Sequence, residues 1–316
     1  MSRLRIAEVG LGGKGRQHMD ILSGFKEVEL VAVCDTMSDM LEKVGDQFDL
    51  KGRYSSVDQL LDNEQLDAVF VATPPEFNAP AALPCLERGV NTFLEKPPGM
   101  TAAEAKELVV AAEKSGAKGM VGLNRRFHPM LVQALEMVEE RGPIVQLVGE
   151  FHKPMSVLGR LNRFPPEVMD NWLAANDIHV VDMVRRMAGA EVREVHSFGR
   201  RAVSEYRDVH AALVVFENDC VASYSFNYTT AMRLERYEIH GNGISAYLEG
   251  IREGFVLRDD ERIELAVPET GGTEEEIRYF IDCLLEDRPV TPPAPSLEEG
   301  FKSLQLVDAI RAGLRE

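Results

Sequence analysis

The chain has 316 residues, and its 35 Lys and Arg against 52 Asp and Glu leave a formal charge of −17. With 45% apolar and 28% charged residues, its composition is that of a folded globular protein and excludes a disordered or fibrous chain. The acidity argues against nucleic acid, which needs a basic face; no run is apolar enough to span a bilayer; and the length suggests two domains.

Leu4–Val9 reads as a strand that begins too early to leave room for a leader peptide. It runs into Gly10-Leu11-Gly12-Gly13-Lys14-Gly15, and a helix over Lys14–Phe25 follows. Leu30–Cys34 is a second strand, with a helix through Met40 and Val44 after it. Asp67–Ala72 reads as a third strand, Ala81–Arg88 as a helix and Asn91–Leu94 as a fourth strand. A helix over Thr101–Ser115 opens on Thr101 with Glu104 three residues on, the pattern of a capping box. Lys118–Gly122 is a fifth strand. Continuous apolar strands alternating with helices predict a doubly wound parallel sheet covered on both faces.

Beyond residue 123 the rhythm changes. Helices are predicted near 129–141 and 176–188. Longer alternating strands follow at Val145–Phe151, Glu191–Arg200, His210–Glu217, Cys220–Tyr228, Arg236–Gly241, Ile244–Glu249 and Gly254–Arg258. Turn signals such as Gly241-Asn242-Gly243 separate them as hairpins. A helix over Glu274–Leu285, a Pro-rich stretch and a helix over Leu297–Leu314 close the chain. The fold class is therefore α/β: a Rossmann-type domain over 1–122, then an α+β domain over 123–316 with an open, mainly antiparallel sheet. The last helix is free to pack back on the first domain. The exposed face of that second sheet is expected to be apolar and to pair copies into a homodimer or homotetramer.

The glycine run is the sharpest chemical signal. It lies between a strand and a helix, where GxGxxG binds the pyrophosphate of a dinucleotide on the helix N-terminus. Gly10 suits the tight turn, Gly12 the approach of backbone to phosphate, and Gly15 the packing of helix on strand. Asp35 ends the second strand, 25 positions after Gly10. Its carboxylate suits a ribose diol and repels a 2′-phosphate, which favours NAD over NADP, although Asp35 could equally cap the next helix. Thr73-Pro74-Pro75 and Glu95-Lys96-Pro97-Pro98 follow apolar strands, at the ends where open α/β sheets bind ligands. Lys96 is placed to exchange a proton with a substrate hydroxyl, and Glu95 to pair with it or touch the cofactor; a solvated surface lysine is the plainer alternative. Cys34, Cys85, Cys220 and Cys283 show no metal spacing and read as reduced thiols of a cytoplasmic protein, so no metal is expected.

GLGGKG, Asp35, Ala72-Thr73-Pro74-Pro75 and above all Leu94-Glu95-Lys96-Pro97 resemble the Gfo/Idh/MocA oxidoreductases, whose members include glucose-fructose oxidoreductase and inositol dehydrogenase. The resemblance continues through Asn124-Arg125-Arg126-Phe127-His128-Pro129 and Ile178-His179-Val180-Val181-Asp182, and covers essentially the whole chain. It implies an NAD-dependent dehydrogenase acting on a secondary alcohol of a sugar or cyclitol. Gly10 through Gly15, Asp35, Thr73, Pro74, Asn78, Glu95 and Lys96 would hold the cofactor. Lys96 and His179 would flank the reacting carbon, with Asp182 orienting the imidazole or serving packing. Imidazole titrates near neutrality, which suits proton exchange. Asn124, Arg126, Trp172, Asp177 and His179 would line the substrate cleft, Trp172 as an apolar platform or as ordinary packing.

Three positions depart from the family pattern. Ala175 stands where many members carry an acid four residues before the histidine, and Asp177 where glycine is common. Asn78 stands where a histidine is frequent. They keep open two alternatives: a non-catalytic NAD- and sugar-binding sensor or scaffold, and an enzyme using tightly held NAD for redox-assisted elimination or glycoside cleavage.

Overall fold

A computed structural model describes residues 3–154, 164–267 and 269–313; Leu314, the end of the predicted last helix, lies outside them. The chain groups into two compact units, Met1–Leu123 with Glu274–Phe301, and Asn124–Thr273 with Lys302–Glu316.

The first unit alternates β1 (Leu4–Val9), α1 (Gly13–Ser23), β2 (Val28–Cys34), α2 (Ser38–Gln47), β3 (Gly52–Tyr54), α3 (Val57–Asn63), β4 (Ala68–Val71), α4 (Asn78–Glu87), β5 (Asn91–Glu95), α5 (Ala102–Ser115) and β6 (Gly119–Gly122). Its strands run parallel in the order β3-β2-β1-β4-β5-β6, so the order reverses between β1 and β4. Crevices at such a reversal are where these sheets bind ligands. β4 is buried along its whole length, as a strand covered on both faces requires. Two elements escape the apolar pattern. β3 is three residues long with Arg53 and Tyr54 in it, and α3 is a short helix whose Ser56 cap accepts from Gln59 N. The strand at Asp67–Ala72 is consequently the fourth, not the third. The predicted capping box on α5 is half formed: Thr101 Oγ1 accepts from Glu104 N at 3.3 Å, while Glu104 Oε2 accepts from Met100 N at 2.6 Å, one residue before the cap.

The segment 274–301 completes this unit. α9 (Thr273–Leu285) buries Ile277, Phe280 and Ile281. The Phe280 ring lies 5.9 Å from Phe70 of β4 and 5.8 Å from Phe93 of β5. Val121 N donates to Pro295 O at 2.9 Å, and an antiparallel bridge joins Met120 to Ser296. A single cut near residue 122 leaves out this returning piece, because its apolar residues are far along the chain from the core they close.

In the second unit, α6 (Pro129–Glu139), α7 (Pro166–Asp170) and α8 (Ile178–Ala188) accompany an eight-stranded sheet. Its strands are β7 (Gln146–His152), β8 (Val192–Arg200), β9 (Val209–Phe216), β10 (Val221–Asn227), β11 (Leu234–Gly241), β12 (Ile244–Glu249), β13 (Glu253–Arg258) and β14 (Glu261–Glu264), in the order β14-β13-β12-β11-β7-β10-β9-β8. All pairs are antiparallel except β7 with β10. β14, sequence ERIE, is too charged to be read as a strand in advance. The inner residues of β7, β9 and β10 are buried in strict alternation, and Val180 and Val184 of α8 pack on β7 at Gly149. The other face is mixed rather than apolar throughout. Phe198, Leu213 and Val221 are exposed there, but a ladder of Glu150, Arg236, Glu238 and His240 crosses its middle. α10 (Leu297–Arg311) belongs to the first unit through Phe301 and to the second from Lys302.

Among the described residues no helix is long and apolar enough to cross a membrane. The four cysteines are free and buried.

Candidate functional site

Gly10 has φ +91°, and a Cβ there would lie 2.5 Å from the Ala72 carbonyl oxygen. A Cβ on Gly15 would lie 1.9 Å from Gly10 O, so α1 rests directly on the turn. Gly12 caps α1 in extended conformation with no side-chain cap, and no acidic residue occupies the first turn. A side chain at Gly12 or Gly13 would meet nothing within 4 Å. The first amides of α1 thus face open space at the positive end of the helix, a fit for the phosphates of a dinucleotide.

Asp35 is fixed beside this loop. Its Oδ2 accepts from Leu11 N at 2.7 Å and its Oδ1 from Met37 N at 2.9 Å. The carboxylate therefore braces two backbone turns as well as standing at the end of β2. Thr73 and Pro74 follow β4, with Pro74 exposed. Asn78 is fully buried and ties two strand ends together. It accepts from Thr73 Oγ1 at 2.9 Å and donates to Glu95 O at 3.0 Å and Pro97 O at 3.1 Å. These bonds engage the Asn78 amide in bracing Thr73 to the Glu95–Pro97 segment. Lys96 is half-buried directly after β5.

Two residues not anticipated from the sequence underlie this half of the site. Glu8, in the middle of β1, and His18, on the inward face of α1, are both 0% exposed. His18 Nδ1 is 3.3 Å from Glu8 Oε1, and its Nε2 is 3.2 Å from Glu95 Oε1. Lys14 Nζ is 3.5 Å from the same Glu95 oxygen. Burial pushes the Glu8 carboxyl up to about 7, against the pull of His18. Burial opposes charge on His18 too, but Glu8 and Glu95 outweigh it and hold the imidazolium up to about 10. Glu95, despite its burial, is held down to about 2 by His18, Lys14 and Lys96. The available signal was an acid inside an apolar strand and a histidine in register with Gly15, Met19 and Leu22; nothing local linked them.

In the second unit, a π-helical turn at Leu173–Asp177 feeds α8. Such turns widen a helix locally and occur often at functional sites. His179, half-buried, sits on the first turn of α8. The Asp182 carboxylate is engaged elsewhere: its Oδ2 accepts from Arg126 Nε at 2.8 Å, and its Oδ1 from Arg126 Nη2 and Ser303 Oγ, both at 2.7 Å. Arg126 and Asp182 side chains are 0% and 1% exposed. The reading of Arg126 as a cleft residue and of Asp182 as orienter of the imidazole therefore gives way to a buried bidentate pair, favoured because two opposite charges out of water satisfy each other. Asn124 likewise donates to Gly271 O at 2.9 Å. Trp172 is 4% exposed, with Phe164 edge-on and the Lys153 ammonium 5.0 Å over its ring, so it offers little platform to a sugar. Asp177 is buried and accepts from Asn176 Nδ2 at 2.7 Å. Burial, then the Asp177 charge, holds the Tyr228 phenol well above its usual value. Lys153, pushed below its ordinary value by burial and by Arg233, reaches Asn176 Oδ1 at 3.4 Å and is a polar group here that the sequence did not single out.

The comparisons agree with this architecture. A protein named myo-inositol 2-dehydrogenase, from Thermotoga maritima, is 25% identical over 99% of this chain and 97% of its own length. A scyllo-inositol 2-dehydrogenase (NAD(+)) from Bacillus subtilis is 26% identical over 70% of this chain and 66% of its own. The solved UDP-N-acetylglucosamine 3-dehydrogenase of Acidithiobacillus ferrooxidans superposes with a TM-score of 0.83 at 22% identity, covering 99% of this chain and 98% of that one. Residues 4–123 match the model described as an oxidoreductase family with NAD-binding Rossmann fold, and residues 132–246 match the GFO/IDH/MocA C-terminal domain. With both halves matched in order, the chain belongs to the GFO/IDH/MocA oxidoreductase family.

Proposed function

We propose that the protein is a cytoplasmic NAD-dependent dehydrogenase moving a hydride between nicotinamide and a secondary alcohol or carbonyl carbon of a sugar, cyclitol or related polyol. The observation that carries this reading is the glycine turn under the uncapped N-terminus of α1, with Glu95 and Lys96 at the end of β5 in the same unit. The names of the inositol and sugar dehydrogenases it resembles support the substrate class.

The Gly10–Gly15 turn and the α1 amides would hold the phosphates, Asp35 the adenosine ribose, and Thr73 and Lys96 the nicotinamide end. When bound, the dinucleotide supplies the hydride acceptor or donor. The protein's own chemistry is the proton. His179 takes the hydroxyl proton in oxidation and returns it in reduction. By the family resemblance, the Lys96 ammonium would stabilise the negative charge that grows on the reacting oxygen. Asp35 disfavours a 2′-phosphate through like charge, and no Lys or Arg lies between Thr36 and Glu42 to offset it.

The test is a panel of inositols, aldoses and their oxidised counterparts with NAD(H) and NADP(H), read by reduced-nicotinamide absorbance. Turnover on at least one cyclitol or sugar is expected, with kcat/KM at least about tenfold higher for NAD than NADP, roughly the value of one like-charge contact. Buried Ala175, lacking the carboxylate common in the family, favours a second reading, a sensor that binds without turnover. Cofactor binding with no turnover across the panel would establish that reading instead.

The same proposal includes self-association through the outer face of the eight-stranded sheet. Exposed Phe198, Leu213 and Val221 would be buried there, and the Glu150–Arg236–Glu238 ladder would fix register. Light scattering should give a dimeric or tetrameric mass that Leu213→Glu reduces; a monomeric wild type would overturn it.

A further inference from the structure

Glu8 has no counterpart in what a dinucleotide turn requires. A carboxylate in the middle of a buried parallel strand is costly unless something repays it. Its strand neighbours in register are Val33 and Phe70, both uncharged. Among the described residues, the charged groups acting on it are His18 from α1 and, beyond the imidazole, Glu95 from β5, which carries Lys14 and neighbours Lys96. Glu8 Oε1 bonds His18, and Glu8 Oε2 has no hydrogen-bond partner among the described residues. The position also lies against the phosphate turn: a Cβ on Gly15 would come within 3.0 Å of Glu8 Oε1.

The geometry is a chain of three. Glu8 meets one nitrogen of the imidazole, Glu95 meets the other, and the Glu95 oxygen that receives His18 also receives Lys14 of the glycine run. Phe70 and Phe93 wall the imidazole edge-on at 5.9 and 5.5 Å, so it has no room to turn away. One carboxylate, Glu95, thereby ties the start of α1 to the strand end that carries Lys96.

We propose that Glu8 and His18 are positioning residues of the dinucleotide site: they fix the Glu95 carboxylate that joins the phosphate turn to the Lys96 strand end, and the proton on Glu8 sets the charge beneath the cofactor's phosphates. This rests on the NAD reading above. With Glu8 protonated, His18 and Lys14 carry two positive charges against one negative on Glu95. With Glu8 ionised the group is neutral. The protonated form therefore holds a diphosphate more tightly, and by linkage binding draws a proton onto Glu8. Because the Glu8 carboxyl titrates at about 7, affinity should fall as pH rises through neutrality.

The experiment measures NADH dissociation by fluorescence and calorimetry, in buffers of different ionisation enthalpy, from pH 6 to pH 8, with thermal melting in parallel. The wild type should lose about three- to tenfold in affinity across that range, the ceiling being set by the protonated fraction of a carboxyl near 7, which falls about tenfold from pH 6 to pH 8, and should take up protons on binding. Glu8→Gln copies the protonated shape. It should melt no lower than the wild type at pH 8, bind there as tightly as the wild type does at pH 6, and show no proton uptake. His18→Gln should bind weakly at every pH. If wild type and Glu8→Gln show the same slope and the same proton count, the inference is wrong while the cofactor reading stands. If neither NADH nor NADPH binds the wild type, both are wrong.

Discussion

Arg126→Ala should melt roughly 10 °C below the wild type, the shift expected for a loss of about 3–5 kcal/mol in a unit of this size. The reason is not the attraction lost but the charge left behind. Asp182 would remain buried beside Ser303 with two of its three hydrogen bonds gone. A double replacement, Arg126→Met with Asp182→Leu, removes both charges at similar volume and should recover most of the loss. Differential scanning fluorimetry on the three proteins decides the matter. A drop of under about 2 °C in Arg126→Ala, or a double variant worse than the single, would show that the pair contributes no such constraint.

Lys96→Met and His179→Asn should each lower kcat on the order of 10²- to 10⁴-fold, the range for losing a group that stabilises the developing oxyanion or one that transfers the proton. NADH dissociation should change far less in His179→Asn than kcat does, because His179 is assigned no cofactor contact. The double variant should be little worse than the worse single one, since groups that act together in one transition state are not additive. Steady-state kinetics on whichever polyol turns over reads all three. Full activity in His179→Asn would remove it from the mechanism.

Much of the first unit is visible in the sequence because its signals are local. β1 running into Gly10, Gly12 and Gly15, and β5 running into Glu95 and Lys96, need only neighbours in the chain to be read. β3 and β14 were not legible, since three residues with an arginine, or four alternating charges, carry no apolar period. What no local signal could give is pairing at a distance. Arg126 meets Asp182 across 56 positions, and His18 meets Glu95 across 77. Each of these is a polar side chain whose meaning changes when its partner is known. Arg126 goes from ligand-binding candidate to half of a buried pair, and His18 from a helix residue to the middle of a hydrogen-bonded chain. His179 remains legible through the family resemblance and not through spacing alone.

The rings of Phe70, Phe93 and Phe280 have a consequence for biosynthesis. Residues 1–123 emerge first, yet their interior lacks a wall until α9 and the stretch to Phe301 have been translated. The core of this half is therefore completed only when the later segment packs on it. During synthesis about 150 residues separate the end of this segment from the piece that covers its apolar side. A fragment of residues 1–123 alone should expose that apolar side and aggregate rather than act as a miniature cofactor binder.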